Sequence, residues 1–179
     1  MACRDPGDTG VGEAIRTLCL EHHGHAIGAR TEMLLYMAAR AQLVETVIRP
    51  ALNARQVVVS DRFLLSTIAY QGYGRGLDVA SIRQVGDVAT DRCLPGLTLL
   101  LDLPVELATA RRDGPEDRIE SRGSEYLERV RQGFLAEAER DPVHIRVIDA
   151  ARPIDVIACE IAALVDAWFD TLDRGVEGP

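Results

Sequence analysis

The chain has 179 residues, 47% of them apolar, which suits one globular domain with a real core and excludes a disordered chain. Its net charge of -8 is repelled by nucleic-acid backbones, so no nucleic acid partner is expected, whereas a small anion held by a local arginine cluster fits. No apolar run approaches the roughly 18 residues that a bilayer span needs, so no membrane partner is expected either.

All 20 basic residues are arginine, and there is no lysine. The four cysteines (Cys3, Cys19, Cys93, Cys159) form no C-x-x-C pair and accompany no secretory signal. They read as reduced thiols of a cytoplasmic protein.

In chain order, Thr9 caps a helix from Gly10 to Leu20. The glycines of "PGDTGVGEAIR" do not match G-x-G-x-x-G, which rejects a dinucleotide fingerprint. The cluster His22-His23-Gly24-His25 has no carboxylate or cysteine at ligand spacing, so it reads as a helix end and turn, and no metal is expected there. Thr31 then opens a long helix from Glu32 to Ala54, carried by Leu34, Leu35, Ala38, Leu43, Val47 and Ile48, which Pro50 should kink or break. Three runs read as buried parallel strands: Val57-Val58-Val59, Leu97 to Leu103 and His144 to Ile148. Helices are predicted near Val79 to Arg92, Pro104 to Arg112, Ser124 to Arg140 and Pro153 to Leu172. The class is α/β. The charge-dense stretch from Arg112 to Gly123 reads as a mobile surface loop, either a solvated connection or a lid.

Ligands of parallel sheets bind at the carboxyl ends of the strands, and Asp61 and Arg62 fall there. A guanidinium fork matches phosphate oxygens, and an aspartate can orient a metal-bound water; a surface ion pair is the plainer reading. Ser66, Thr67, Tyr70 and Gln71 can share one side of a short helix and read a nucleobase edge. After them Gly72, Gly74 and Gly76 free the chain to present Arg75, although such glycines often mark only a helix terminus. Tyr36 and Arg40, four positions apart, offer a ring and a fork to a flat base; a solvent-facing arginine over a half-buried tyrosine is the commoner case.

Six colinear stretches make the chain resemble bacterial thymidylate kinase: "RDPGDTGVGEAIR" (4 to 16), "LLYMAARAQLVETVIRPAL" (34 to 52), "SDRFLLSTIAYQGYGRGLD" (60 to 78), "LTLLLDLPVELA" (97 to 108), "DRIES" (117 to 121) and "RVRQGFL" (129 to 135). The resemblance implies a P-loop kinase fold, a single three-layer domain over 1–179 that moves the ATP γ-phosphoryl group to dTMP with Mg2+. Carried over by position, Arg62 holds the dTMP phosphate and Asp61 faces the P-loop and metal. Tyr36 stacks on thymine, Arg40 donates to a thymine carbonyl, Ser66, Thr67 and Gln71 line the pocket, and Arg16 and Arg75 lie near the nucleotide. Residues 112–123 become the lid, with Arg112 and Arg118 neutralising the transferring phosphoryl. A homodimer through packed helices is implied as well, the helix from Glu32 being a candidate. Asp5 departs from the family's glutamate in Arg-Glu-Pro-Gly, Phe63 from its common tyrosine, and Asp113 places an acid in the lid.

The family's G-x-x-x-x-G-K-[ST] loop, whose lysine reaches the β- and γ-phosphates, precedes the element found here at residues 4 to 7. With no lysine in the chain, the expectation is a kinase fold whose central first strand and P-loop are missing, poorly stable and inactive as a kinase. Two other readings stand beside it: a dTMP-binding or regulatory module without catalysis, and a different nucleoside or nucleotide kinase of the P-loop group.

Overall fold

The computed structural model describes residues 1–176 apart from 22, 23, 25 and 113, so the histidine cluster and Asp113 lie outside the described residues. They form two compact units: Met1–Leu94 with Asp113–Phe134, and Pro95–Arg112 with Leu135–Pro179.

In the first unit β1 (Ala2–Arg4) pairs in parallel with β2 (Val59–Asp61), Arg4 lying opposite Asp61. Strand β1 is too short to leave a pattern in sequence, and it corrects the expected strand at Val57-Val58-Val59. Pairing moves that strand two residues onward, because the Val59 amide donates to the Met1 carbonyl and the Asp5 amide to that of Asp61. Asp61 therefore ends the strand rather than following it.

Helix α1 (Gly10–Leu20) starts as its cap predicts, the Thr9 hydroxyl accepting from the Gly12 amide at 2.8 Å. The next helix departs from expectation at both marked points. Helix α2 (Ala29–Leu43) begins after Gly28 rather than Thr31, so Glu32 stands inside its first turn. Pro50 does not break the chain direction either: a π turn over Val44–Ile48 precedes α3 (Arg49–Asn53), with the Arg49 amide reaching back five residues to Val44. Widening the turn ahead of a residue that has no N–H lets the helix pass it. After β2, α4 (Leu64–Thr67) runs into a second π segment, Ile68–Gly74, and α5 (Val79–Thr90) follows, capped by Asp78.

The core of this unit is Met33 and Met37 of α2 against Leu64, Ile68 and Ile82, continued by Cys3, Leu43, Val44 and Ile48. A third cluster joins Ala69 to Ile119, Tyr126 and Val130, the latter two on α7 (Ser124–Arg140). Glycine lets α7 lie this close. A Cβ on Gly133 would stand 2.6 Å from both Cβ and Cγ of Tyr73, atoms too near the backbone to swing aside. Replacing Gly133 by Ala is therefore expected to destabilise the protein by about 1–3 kcal/mol through overpacking, although alanine is the better helix former. Urea unfolding checks this; an unchanged or higher midpoint would show that Tyr73 yields.

In the second unit β3 (Thr98–Asp102) pairs in parallel with β4 (Ile145–Asp149) in register, Asp102 opposite Asp149. Helices α6 (Val105–Arg111) and α8 (Ile154–Val176) also belong to it, each within two residues of its predicted start. The α/β class and the parallel pairing agree with expectation, but the strands form two separate two-stranded sheets. No helix among the described residues is long and apolar enough to cross a membrane.

Candidate active site

A cavity of about 130 Å³ opens in the first unit beside the carboxyl end of β2. Of the residues singled out in sequence, Asp5, Arg16, Tyr36, Arg40, Arg62, Ser66, Thr67 and Gln71 all line it. Asp61, Arg75, Arg112 and Arg118 do not. Arg112 belongs to the other unit, at the C-cap of α6.

At the floor lies a fully buried ion pair. Arg40 Nε donates to Asp5 Oδ2 at 2.6 Å, Nη2 donates to Thr67 Oγ1 at 3.0 Å, and Nη1 reaches Met37 Sδ at 3.1 Å. Asp5 thus reaches a partner despite being one methylene shorter than glutamate. Burial raises the Asp5 carboxyl by more than the Arg40 charge and hydrogen bond lower it. Its other oxygen, Oδ1, is buried and has no hydrogen-bond partner among the described residues. A guanidinium has five N–H donors, and among the described residues the three contacts above account for three of those of Arg40. The Arg40 guanidinium also lies over the Phe63 ring, 5.4 Å from its centroid.

Tyr36 sits one turn above Arg40 on α2, half-buried, and burial drives its hydroxyl well above the usual phenol range. At the rim Arg62 adopts a left-handed backbone, φ 66°, and its guanidinium lies 5.3 Å from the Tyr70 ring centroid. A non-glycine residue in that region stores strain, as functional positions often do. Gln71 stands within the second π segment, a backbone form frequent at functional sites.

Glu32 is not among the residues that the sequence singles out. It is wholly buried, and its carboxylate accepts from Gln71, Arg118, Arg122 and, more loosely, Arg75. Burial works to raise its pKa, but the hydrogen bonds from Arg122, Gln71 and Arg118 outweigh that and hold the carboxyl below the usual range. A signal was present: Glu32, Tyr36 and Arg40 recur every four residues and so share one face of α2. The stretch read as a mobile loop is likewise pinned where it meets this unit. Asp117 Oδ1 accepts from the amides of Ile119 and Glu120, Ile119 is buried, and Arg118 Nε donates to the Cys19 carbonyl at 2.6 Å. Asp117, Ile119 and Glu120 close one side of the cavity.

Residues 1–161 match the family model described as thymidylate kinase. The chain belongs to the thymidylate kinase family. Members are nucleoside monophosphate kinases, and similar proteins confirm the assignment over most of the length. The thymidylate kinase of Desulforudis audaxviator (strain MP104C) is 46% identical over 168 residues, covering 93% of this chain and 76% of that protein. That of Synechococcus sp. (strain JA-2-3B'a(2-13)) is 48% identical over 177 residues, covering 99% of this chain and 84% of that one. The crystal structure of thymidylate kinase from Ehrlichia chaffeensis matches with a TM-score of 0.73 at 28% identity, over 92% of this chain and 79% of that one. In this thymidylate kinase family member, then, the cavity gathers residues that the sequence had placed on four separate segments.

Proposed function

We propose that the cavity is the nucleoside monophosphate site and that its ligand is dTMP. The observation that carries this is the convergence of Tyr36, Arg40, Thr67, Gln71 and Arg62 on one cavity. Tyr36 stacks on the thymine ring, and the remaining Arg40 hydrogens donate to a thymine carbonyl. Ser66, Thr67 and the Gln71 amide line the base, Arg62 holds the phosphate, and Arg16 and Arg75 add positive charge near the nucleotide. Asp61, at the end of β2, and Arg112 and Arg118, from residues 112–123, are the residues that would serve Mg2+ and the transferring phosphoryl group in a relative that carries the phosphate loop. The two units act as one kinase domain, a reading supported by a family model that runs unbroken through both.

The family implies ATP and Mg2+. The donor set of these 179 residues does not fit the ATP phosphates, since a G-x-x-x-x-G-K-[ST] loop needs a lysine and the chain has none. We therefore propose that the 179 residues lack the central strand and its phosphate loop, and that they bind dTMP without phosphorylating it. Two-stranded sheets that leave Val59 and Leu101 more than half exposed support that reading. Exposed Val11, Leu18 and Leu34 on α1 and α2 support a homodimer through these helices.

Calorimetry with the purified chain tests the site. dTMP is expected to bind at least about tenfold more tightly than dCMP or dGMP, because pocket polar groups matched to one base are left unpaired by another. No dTDP should form from ATP, and sedimentation should give twice the protomer mass. Equal affinity for all monophosphates would remove the dTMP reading, and robust dTDP formation would remove the proposal that the phosphate loop is absent.

A further inference from the structure

Glu32 joins two groups of residues that otherwise have different tasks. Its Oε1 accepts from Gln71 Nε2 at 2.8 Å and from Arg122 Nη1 at 3.2 Å. Its Oε2 accepts from Arg122 Nη2 at 2.5 Å, from Arg118 Nη2, and from Arg75 Nη1 at 3.5 Å. One carboxylate thus faces three guanidiniums, two of them from the segment that closes one side of the cavity. The same segment is fixed to α7, where Arg122 Nη1 donates to the Tyr126 hydroxyl at 2.9 Å and that hydroxyl donates to the Tyr70 carbonyl at 3.2 Å.

For Gln71 the consequence is an orientation. A buried side-chain amide can stand either way round, and here the nitrogen is committed to a charged acceptor. The Glu32 contact takes one of the two Nε2 hydrogens and fixes which end of the amide is oxygen; in the scheme proposed below that oxygen faces the base. That oxygen accepts from an imide N–H, which thymine and uracil carry at ring position 3, and meets a lone pair in cytosine.

We propose that Glu32 is a positioning residue that couples the two events: it orients Gln71 to read an imide N–H and, with the same carboxylate, seats the 117–122 segment over the cavity. This rests on the reading of the cavity as a dTMP site. Glu32 itself touches no ligand in this scheme; it acts through Gln71, Arg118 and Arg122.

The test is Glu32→Gln in the full chain, read two ways. Without ligand, amide exchange over 118–123 is expected to quicken about tenfold while α5 amides stay unchanged, which a general loss of stability would not produce. By calorimetry, the preference for dTMP over dCMP is expected to fall about tenfold, because a Gln71 amide free to take either orientation serves cytosine as well as thymine. Both shifts are required; a folded variant lacking either one overturns the proposal. Should Glu32→Gln not fold, the pair Arg118→Gln and Arg122→Gln leaves Glu32 and Gln71 in place. Faster exchange with a reduced dTMP preference then supports the coupling, and an unchanged preference overturns it. If the unaltered chain fails to bind dTMP, the site reading fails and this proposal with it. If it binds dTMP and the variants do not differ from it, this proposal alone fails.

Discussion

Arg40→Met is expected to lower the unfolding free energy by about 3–5 kcal/mol at pH 7, the usual penalty for removing one member of a buried ion pair. The side chains of Arg40 and Asp5 are 2% and 0% exposed, so neither can turn to water when its partner goes. Asp5 already keeps Oδ1 without a partner among the described residues, and Arg40→Met would strip Oδ2 as well. The pair as a whole contributes far less than this. Asp5→Leu combined with Arg40→Met should recover most of the loss, since two apolar side chains of similar volume carry no unpaired charge. A double-mutant cycle by urea unfolding measures the difference as a coupling of more than about 2 kcal/mol.

The same variant carries a pH signature. Burial raises the Asp5 carboxyl even with Arg40 beside it, and Arg40→Met removes both influences that lower it. A carboxyl whose folded pKa stands above its unfolded value costs stability at pH above the folded pKa. That cost fades as pH falls toward the unfolded value of about 3.9. The Arg40→Met penalty should therefore shrink between pH 7 and pH 4, and the double variant should show no such relief. A penalty that ignores pH, or that persists with Asp5→Leu, would mean the damage comes from lost packing against Phe63 and Thr67 instead.

Periodicity and caps carried most of the fold because they report local physics. The 11 residues of α1 announce themselves by Thr9, and the 17 residues of α7 match their predicted limits at both ends. What stayed hidden depends on partners distant in sequence. Strand β1 has three residues and exists through its pairing with β2. Residues 117–122 look like solvent-loving charge, yet they are held by Ile119 in the core and by a carboxylate more than 80 positions away on α2. Most of the site residues were legible because side chains with an evident chemistry sat at helical spacing or beside a strand end. Glu32 was not: as an acid in a helix's first turn it has an ordinary explanation in the helix dipole, which concealed its part in the site.

Arg62→Met is expected to weaken dTMP binding by about 2–3 kcal/mol, roughly 30- to 150-fold, while leaving the affinity for thymidine unchanged. The split follows from where Arg62 stands. Its guanidinium lies over the Tyr70 ring at the cavity rim and is hydrogen-bonded to that side chain, an arrangement that steadies the fork where a phosphate would meet it. The base is served by other residues, Tyr36, Arg40 and Gln71, so a ligand without a phosphate should not notice the change. Arg62→Lys should recover only part of the loss, since an ammonium keeps the charge without the bidentate fork. Equal losses for dTMP and thymidine would instead assign Arg62 to holding the pocket together. Backbone conformation offers an independent check. At φ 66° any side chain with a Cβ is strained, and glycine relieves about 1–2 kcal/mol of that at an entropic cost of about 0.5–1 kcal/mol. Arg62→Gly should accordingly be as stable as the parent or more so, by up to about 1 kcal/mol, and still lose the phosphate-dependent part of binding. A residue retained at a strained position that a smaller one would fill with less strain is retained for what its side chain does.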